Sequence, residues 1–259
     1  LGFEGVIVTD WEDIKRLHDR HNVAATPREA EVMAINAGID MSMVPSDYSF
    51  FDLLIEAVKK GEVPMSRIDD AVKRILVMKY KTGLFENPYP EPASFGNFGK
   101  PEFQQYALEA AREAMTLLKN SDNILPLAKN KKVLVAGPAA QSISALNGCW
   151  SYTWQGNVDK WYPADSRTIY QSFVDKIGAA NVITTTQPGF DSPQNYDVAA
   201  LKKAAVGADV IVLCIGENAY AESPGNTRDL ALPKEQEDLV VAAALTGKPV
   251  ILVLTEGRP

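Results

Sequence analysis

Four groups of side chains in this sequence are of types that do chemistry. The first is Asp10, which ends the apolar run Gly5-Val6-Ile7-Val8-Thr9 and is followed by Trp11. An uncharged run that stops in a carboxylate and an indole has the pattern of a buried parallel strand whose carboxyl end opens into a site, because side chains there face the ligand crevice of α/β folds. A second reading of Asp10 is an N-cap for a helix starting near Trp11-Glu12-Asp13. The second group is Glu217 and Glu222, five residues apart on a polar stretch that leaves another apolar run at Gly216. They read as an acid/base pair at a strand end or as solvated loop charge. The third is Trp150-Ser151-Tyr152-Thr153-Trp154-Gln155-Gly156, whose flat aromatic faces suit stacking on apolar sugar faces, core packing or an interface. The fourth, His18 and His21 with Asp19 between them, has ligand-type residues but reads as a solvated loop, and no convincing metal cluster or organic-cofactor motif stands elsewhere.

The elements that must position these groups alternate. Thr26-Pro27-Arg28-Glu29 is a helix start, with Thr as cap, Pro in the first turn and Glu three residues after the cap; Gly38 stops that helix. Residues 39–44 form a short apolar strand holding Asp40. Pro45-Ser46-Asp47 opens a helix with Phe50, Leu53, Leu54, Ala57 and Val58 on one face, ending at Gly61. Ile68, Ala71, Val72, Ile75 and Leu76 fall at i, i+3, i+4, i+7 and i+8 of another, which Gly83 ends. Asp69 and Asp70 near its start suit capping and the helix dipole.

Residues 87–92, with three prolines, cannot hold a regular helix or a central strand, and the segment to Gly99 reads as a surface linker. Beyond it the same logic predicts helices over 101–118, 168–177, 198–206 and 234–245, and strands over 132–138, 182–185, 209–216 and 250–254. Strand–helix alternation of this kind implies a parallel, doubly wound sheet. The first strand of this half carries neither a G-x-G-x-x-G turn nor a Walker lysine, which weakens a nucleotide-binding reading.

Composition narrows the class. A chain of 259 residues with 46% hydrophobic and 23% charged residues has the make-up of a soluble globular protein with a sizeable core. Its net charge of −7 argues against a general binder of nucleic acid or anionic membranes, and no apolar run reaches the ~18 residues of a membrane span. Cys149 and Cys214 are too few for a disulfide framework and read as small buried apolar residues. Leu1 is not an initiator Met, and both ends run directly out of strand-like segments. Because natural termini usually lie in loose, exposed stretches, the expectation is a stretch of a longer protein, with any signal peptide outside it.

Taken in order, these motifs resemble glycoside hydrolase family 3, the β-glucosidases and related exo-acting β-glycosidases. The resemblance is carried by residues 2–11, by Ala37-Gly38-Ile39-Asp40-Met41-Ser42-Met43-Val44-Pro45, by residues 63–76, by Gly83-Leu84-Phe85-Glu86-Asn87-Pro88, by the loop 216–225 and by Glu256-Gly257-Arg258-Pro259. It implies an α/β fold in which residues 1–88 are the last strands and helices of a (β/α)8-type barrel. Residues 89–100 are then a linker, and 101–259 part of an α/β sandwich domain with a mostly parallel sheet. It assigns Asp10 as catalytic nucleophile and Trp11 as a substrate neighbour. Glu222, in Tyr220-Ala221-Glu222, becomes the general acid/base, with Glu217 its rival. Trp154, and Tyr220 beside the acid, become sugar-site residues, and Trp150 is a weaker, structural candidate. Asp40 takes a structural place near the barrel mouth.

The resemblance further implies a retaining exo-β-glycosidase acting on a β-glucoside, with no metal, cofactor, nucleic acid or membrane partner, in a secreted or periplasmic setting. The site would lie between the two domains. A β-xylosidase, an N-acetyl-β-glucosaminidase, a glycoside phosphorylase and a non-enzymatic carbohydrate-binding protein are the alternatives. The glucosaminidase branch often lacks the second domain, so the loop 217–225 argues against it. Earlier barrel strands supply much of the family's sugar pocket, so the 259-residue polypeptide alone is expected to have little or no activity.

Overall fold

The apolar run before Asp10 condenses into a short strand, β1 (Val8–Trp11), paired in parallel with β2 (Met41–Met43). The computed structural model describes residues 2–185, 189–190 and 195–258. It divides into two compact units, Leu1–Met115 and Thr116–Pro259.

In the first unit β1 is not the buried strand its composition predicts: Val8 is 47% and Trp11 51% exposed. Among the described residues β1 is hydrogen-bonded to β2 alone, and a parallel strand is buried only when neighbours cover it on all sides. Helix α1 (Asp13–Asp19) begins at once, with Glu12, in a left-handed conformation, at its N-cap and no side chain capping it. The N-cap reading of Asp10 therefore fails. Helix α2 (Pro27–Asn36) starts as the sequence dictates: the Thr26 hydroxyl accepts from the Glu29 amide at 3.1 Å, and the Glu29 carboxylate accepts from the Ala25 amide at 2.8 Å. Helices α3 (Ser49–Lys59) and α4 (Met65–Lys81) complete the sequence-predicted set. The core they make is thin. Ile14, Ala24, Ala30 and Ala34 form one small cluster, and Ile35, Ala57 and Val63 another.

An ionic network supplements this core. Asp40, whose side chain is 1% exposed, accepts from Arg67 at 2.6 Å and from the Ile7 amide at 2.9 Å. Arg67 also donates to the carbonyls of Ile35 and Ile39, both at 2.9 Å. Asp70 accepts from Arg67 and Arg74, and Arg74 reaches the Gly5 carbonyl. Two expectations change. Asp70 links two arginines instead of capping α4. Asp40 precedes β2 and holds Ile7, which precedes β1, so it lies at the amino end of the strand pair, opposite Asp10, and not at a barrel mouth.

Helix α5 (Pro101–Ala114) begins where the sequence predicts but ends four residues before the expected 118. None of its residues is buried. The boundary between the units falls after Met115, so α5 counts with the first unit instead of opening the second. The linker before it carries a 3₁₀ turn, Pro92–Asn97, a short form that proline at its first position allows.

The second unit is a doubly wound sheet. Strands β3 (Val133–Ala136), β4 (Val182–Thr184), β5 (Val210–Gly216) and β6 (Val250–Thr255) lie in the order β4-β3-β5-β6, all parallel. Helices α6 (Ile169–Ile177), α7 (Val198–Ala205) and α8 (Lys234–Ala244) supply its helical cover. Alternate residues of β5 feed two different clusters: Ile211, Leu213 and Ile215 pack with Leu201 and Leu239, whereas Val210, Val212 and Cys214 pack with Ala139 and Phe173. That period of two explains why the run carries no charge. Burial pushes the Cys214 thiol up to about 12, while Cys149 is exposed, so only one cysteine is a core residue. Among the described residues no helix is long and apolar enough to cross a membrane.

Candidate active site

The carboxyl ends of β5 and β6 present the second unit's reactive groups. At Gly216 the chain leaves β5 at φ 138°, and a Cβ there would meet the Thr255 carbonyl oxygen at 2.1 Å, so only glycine lets the two strands close at this point. Buried Gln236 accepts from the Gly216 amide and donates to its carbonyl, both at 2.9 Å. The loop beyond Gly216 is anchored before it reaches its tip.

Glu217 is part of that anchor. Its carboxylate accepts from Arg258 Nε at 3.1 Å and from the Tyr220 hydroxyl at 3.2 Å, and the Arg258 guanidinium lies 4.4 Å from the Tyr220 ring centre. The hydrogen bond to Glu217 raises the arginine's pKa, and burial together with the Glu217 charge raises that of the Tyr220 hydroxyl. One face of Tyr220 is thus covered by Arg258, from the segment after β6, and its hydroxyl is taken up by Glu217.

Glu222 stands differently. It is exposed, and the side chain hydrogen-bonded to it is Trp154, whose indole Nε1 donates to its Oε1 at 3.3 Å. Its backbone has φ 55° and ψ −136°, a combination unfavourable for a residue with a Cβ. The preceding residue, buried Ala221, is clamped: its amide donates to Gln155 Oε1 at 2.9 Å, and its carbonyl accepts from Gln155 Nε2 at 3.2 Å. Trp154 is 47% exposed and lies 6.4 Å from Trp150, centre to centre. Below this pair the loop is tight. At Gly156 (φ 69°) a Cβ would lie 2.0 Å from the Gly148 carbonyl oxygen, and Tyr162 donates to the Gly156 carbonyl at 2.8 Å.

In the first unit Asp10 lies at the carboxyl end of β1. One of its carboxylate oxygens accepts from the Trp11 amide at 2.7 Å, and both Asp10 and Trp11 are exposed. The Thr9 hydroxyl accepts from the Met43 amide at 3.0 Å and holds the strand pair together just before Asp10. His18 is hydrogen-bonded to the Ala24 carbonyl across the turn after α1.

The structure therefore brings together Glu222, Trp154 and Trp150, groups Glu217 and Tyr220 with Arg258, and leaves Asp10 and Trp11 as neighbours in the other unit. Gln155 and Arg258 stand within the sequence motifs, but sequence reasoning assigns neither a role. The available signal was a long polar side chain beside an aromatic in a glycine-bounded loop.

Fold and site together define a parallel α/β domain that presents an exposed carboxylate beside a pair of tryptophans. The family model described as "Glycosyl hydrolase family 3 C-terminal domain" matches residues 115–259, and "Glycosyl hydrolase family 3 N terminal domain" matches residues 1–78. The chain belongs to glycosyl hydrolase family 3. It is 42% identical to the lysosomal beta glucosidase of Dictyostelium discoideum, covering 100% of this chain and 32% of that protein. It is 34% identical to a beta-xylosidase of Formosa agariphila, covering 100% of this chain and 37% of that one. Among solved structures it resembles the beta-glucosidase of Listeria innocua in complex with isofagomine, with a TM-score of 0.79 at 28% identity, over 99% of this chain and 34% of that one. The chain spans about a third of the length of the curated relatives it matches. Pro259, the last residue of one family-like motif, lies outside the described residues.

Proposed function

We propose that this chain carries both catalytic carboxyl groups of a retaining exo-acting β-glycosidase of the β-glucosidase type, with Asp10 as nucleophile and Glu222 as general acid/base. The observation that carries the reading is the contrast between the two loop glutamates. Glu217 is neutralised by Arg258 and fixed as a brace, whereas Glu222 stands exposed beside an indole with no cation bonded to it among the described residues. A proton-transfer group has to be reachable by substrate.

The reaction is a double displacement. The Asp10 carboxylate attacks the anomeric carbon while Glu222 protonates the departing glycosidic oxygen, and a glycosyl ester forms on Asp10. Glu222, now a carboxylate, takes a proton from water as the water oxygen attacks the anomeric carbon, and the Asp10 carboxylate leaves. This requires the two carboxyl groups roughly 5–5.5 Å apart around the sugar. In this reading residues 1–88 supply the last units of a (β/α)8-like barrel and the second unit the acid. Trp11 and Trp154 stack on the sugar, and Tyr220 acts by shaping the loop. The substrate is a small or oligosaccharide β-glycoside, met in a secreted or periplasmic setting by the family resemblance, or in a lysosome-like one, which alone the name of the Dictyostelium relative supports. A β-xylosidase is the second reading, supported by the Formosa relative.

The test is covalent labelling of the full-length protein with a 2-deoxy-2-fluoro glucoside bearing a good leaving group, followed by peptide mass spectrometry. The sugar adduct is expected on Asp10. An adduct elsewhere, or turnover without any adduct, rejects the assignment. Comparing nitrophenyl glucoside with nitrophenyl xyloside separates the two substrate readings, and fractionation of the source cells tests the compartment.

A further inference from the structure

Two consecutive side chains, Trp154 and Gln155, grip two consecutive residues of the facing loop, Ala221 and Glu222. Trp154 takes the Glu222 carboxylate at 3.3 Å; Gln155 takes both backbone polar atoms of Ala221, at 2.9 and 3.2 Å. We propose that Gln155 is a positioning residue for the acid/base Glu222, holding the Ala221–Glu222 peptide so that the carboxyl group is presented from a backbone conformation it would otherwise leave. This rests on the assignment of Glu222 as acid/base.

A residue with a Cβ at φ 55°, ψ −136° persists only where its surroundings over-determine it. On the loop's early side that restraint is the Arg258–Glu217–Tyr220 brace. At Ala221 it is Gln155, whose primary amide matches the donor and acceptor of one peptide residue as a neighbouring strand would. The platform under Gln155 is itself stiff: the Gly156 amide donates to the Thr153 hydroxyl at 3.0 Å, and the close approach to Gly148 admits no side chain. The Glu222 carboxylate itself is held only by the long bond from the indole, among the described residues. Without the clamp, the backbone relaxes toward negative φ and swings the carboxyl group away from the glycosidic oxygen. Proton transfer needs heavy atoms about 2.6–3.2 Å apart, and a displacement near 1 Å costs up to about 10²-fold.

The experiment measures kcat/KM of the full-length protein for aryl β-glucosides from a poor leaving group (phenol) to an activated one (2,4-dinitrophenol), with Glu222→Ala as the reference. Gln155→Ala is expected to lose about 10–100-fold on the phenyl glucoside and less than about threefold on the dinitrophenyl glucoside, which needs little acid assistance. Gln155→Glu keeps the acceptor for the Ala221 amide but loses the donor to its carbonyl. It is expected to show the same selective loss at smaller amplitude, and it takes the place of Gln155→Ala should that variant fail to fold. Equal losses on all leaving groups in the Gln155 variants, beside a steep dependence in Glu222→Ala, overturn the positioning role and leave the acid/base assignment standing. A flat dependence in Glu222→Ala overturns the assignment itself, and the positioning role with it.

Discussion

Strands β1 and β5 are written in the same alphabet, uncharged apolar runs leading to a carboxylate within a few residues, yet they meet different fates. All seven residues of β5 are buried, and β1 has none that is. β5 has β3 on one side and β6 on the other, and side chains from both its faces enter separate clusters. β1 has only β2 among the described residues, and the unit around it has two small clusters, where Ile14, Ile35 and Val63 join alanines, beside the Asp40–Arg67–Asp70–Arg74 network. An apolar run specifies that a strand is fit for burial; its neighbours decide whether burial happens. One unit is built on a sheet buried on both faces, and the other joins a small apolar core to a polar network centred on buried Asp40.

The difference can be broken most forcefully at the ion pair. Arg67→Ala leaves Asp40 buried beside a single backbone amide, a loss of about 3–5 kcal/mol by the usual cost of an orphaned buried charge. Hydrogen exchange read by mass spectrometry is expected to show lost protection in β1, β2 and α2, with β3 to β6 unchanged. Protection retained in β1 and β2 would mean that apolar contacts, not the network, hold that unit.

Paired truncations come next. Leu213→Ala in β5 is expected to cost about 2–5 kcal/mol. Val8→Ala in β1, starting half exposed, should cost less than about 1 kcal/mol. Urea unfolding of each variant measures both, and equal costs would erase the contrast.

A third test uses Glu31, buried in α2 with its Oε2 lacking a hydrogen-bond partner. Burial, then the nearby Asp47 charge, pushes its carboxyl up to about 8. The sign is set by linkage. Between the ordinary glutamate value near 4.5 and about 8 the folded chain binds the proton that the unfolded chain has released, so this group makes stability fall as pH rises through that window. Glu31→Gln is expected to remove that slope, gaining about 4 kcal/mol at pH 8 and nothing at pH 4. Urea titrations at the two pH values decide it, and an unchanged difference between them would show that Glu31 is ionised without penalty.

The smallest expected effect lies in the second unit's loop. Trp154→Phe keeps an aromatic face but removes the donor to Glu222, and is expected to lower kcat/KM of the full-length protein on phenyl glucoside by about threefold, less than 1 kcal/mol. A loss as large as that of Gln155→Ala would transfer the positioning role to the indole.

Much of this was legible in the chain itself. The Thr26 cap, the Gly38 stop and the charge-free run of β5 arise from local chemistry, and the ordered motifs were enough to place the chain in its family. The exposed Glu222 and the ion-paired Glu217 were not separable by spacing, because Arg258 lies 41 residues from Glu217 and only the fold sets them side by side. Gln155 was invisible as an anchor for the same reason, its partner being 66 residues away. Asp40 illustrates the limit most simply. Sequence placed Asp40 within a strand and near a barrel mouth; the strand begins one residue later, and which end of the strand pair Asp40 serves depended on Arg67, 27 residues on, and on the Ile7 amide, 33 residues back. Helices, strands and their caps are fixed by neighbours within a few residues; the partner of a charged group is fixed by what the packing of those elements brings within hydrogen-bond reach.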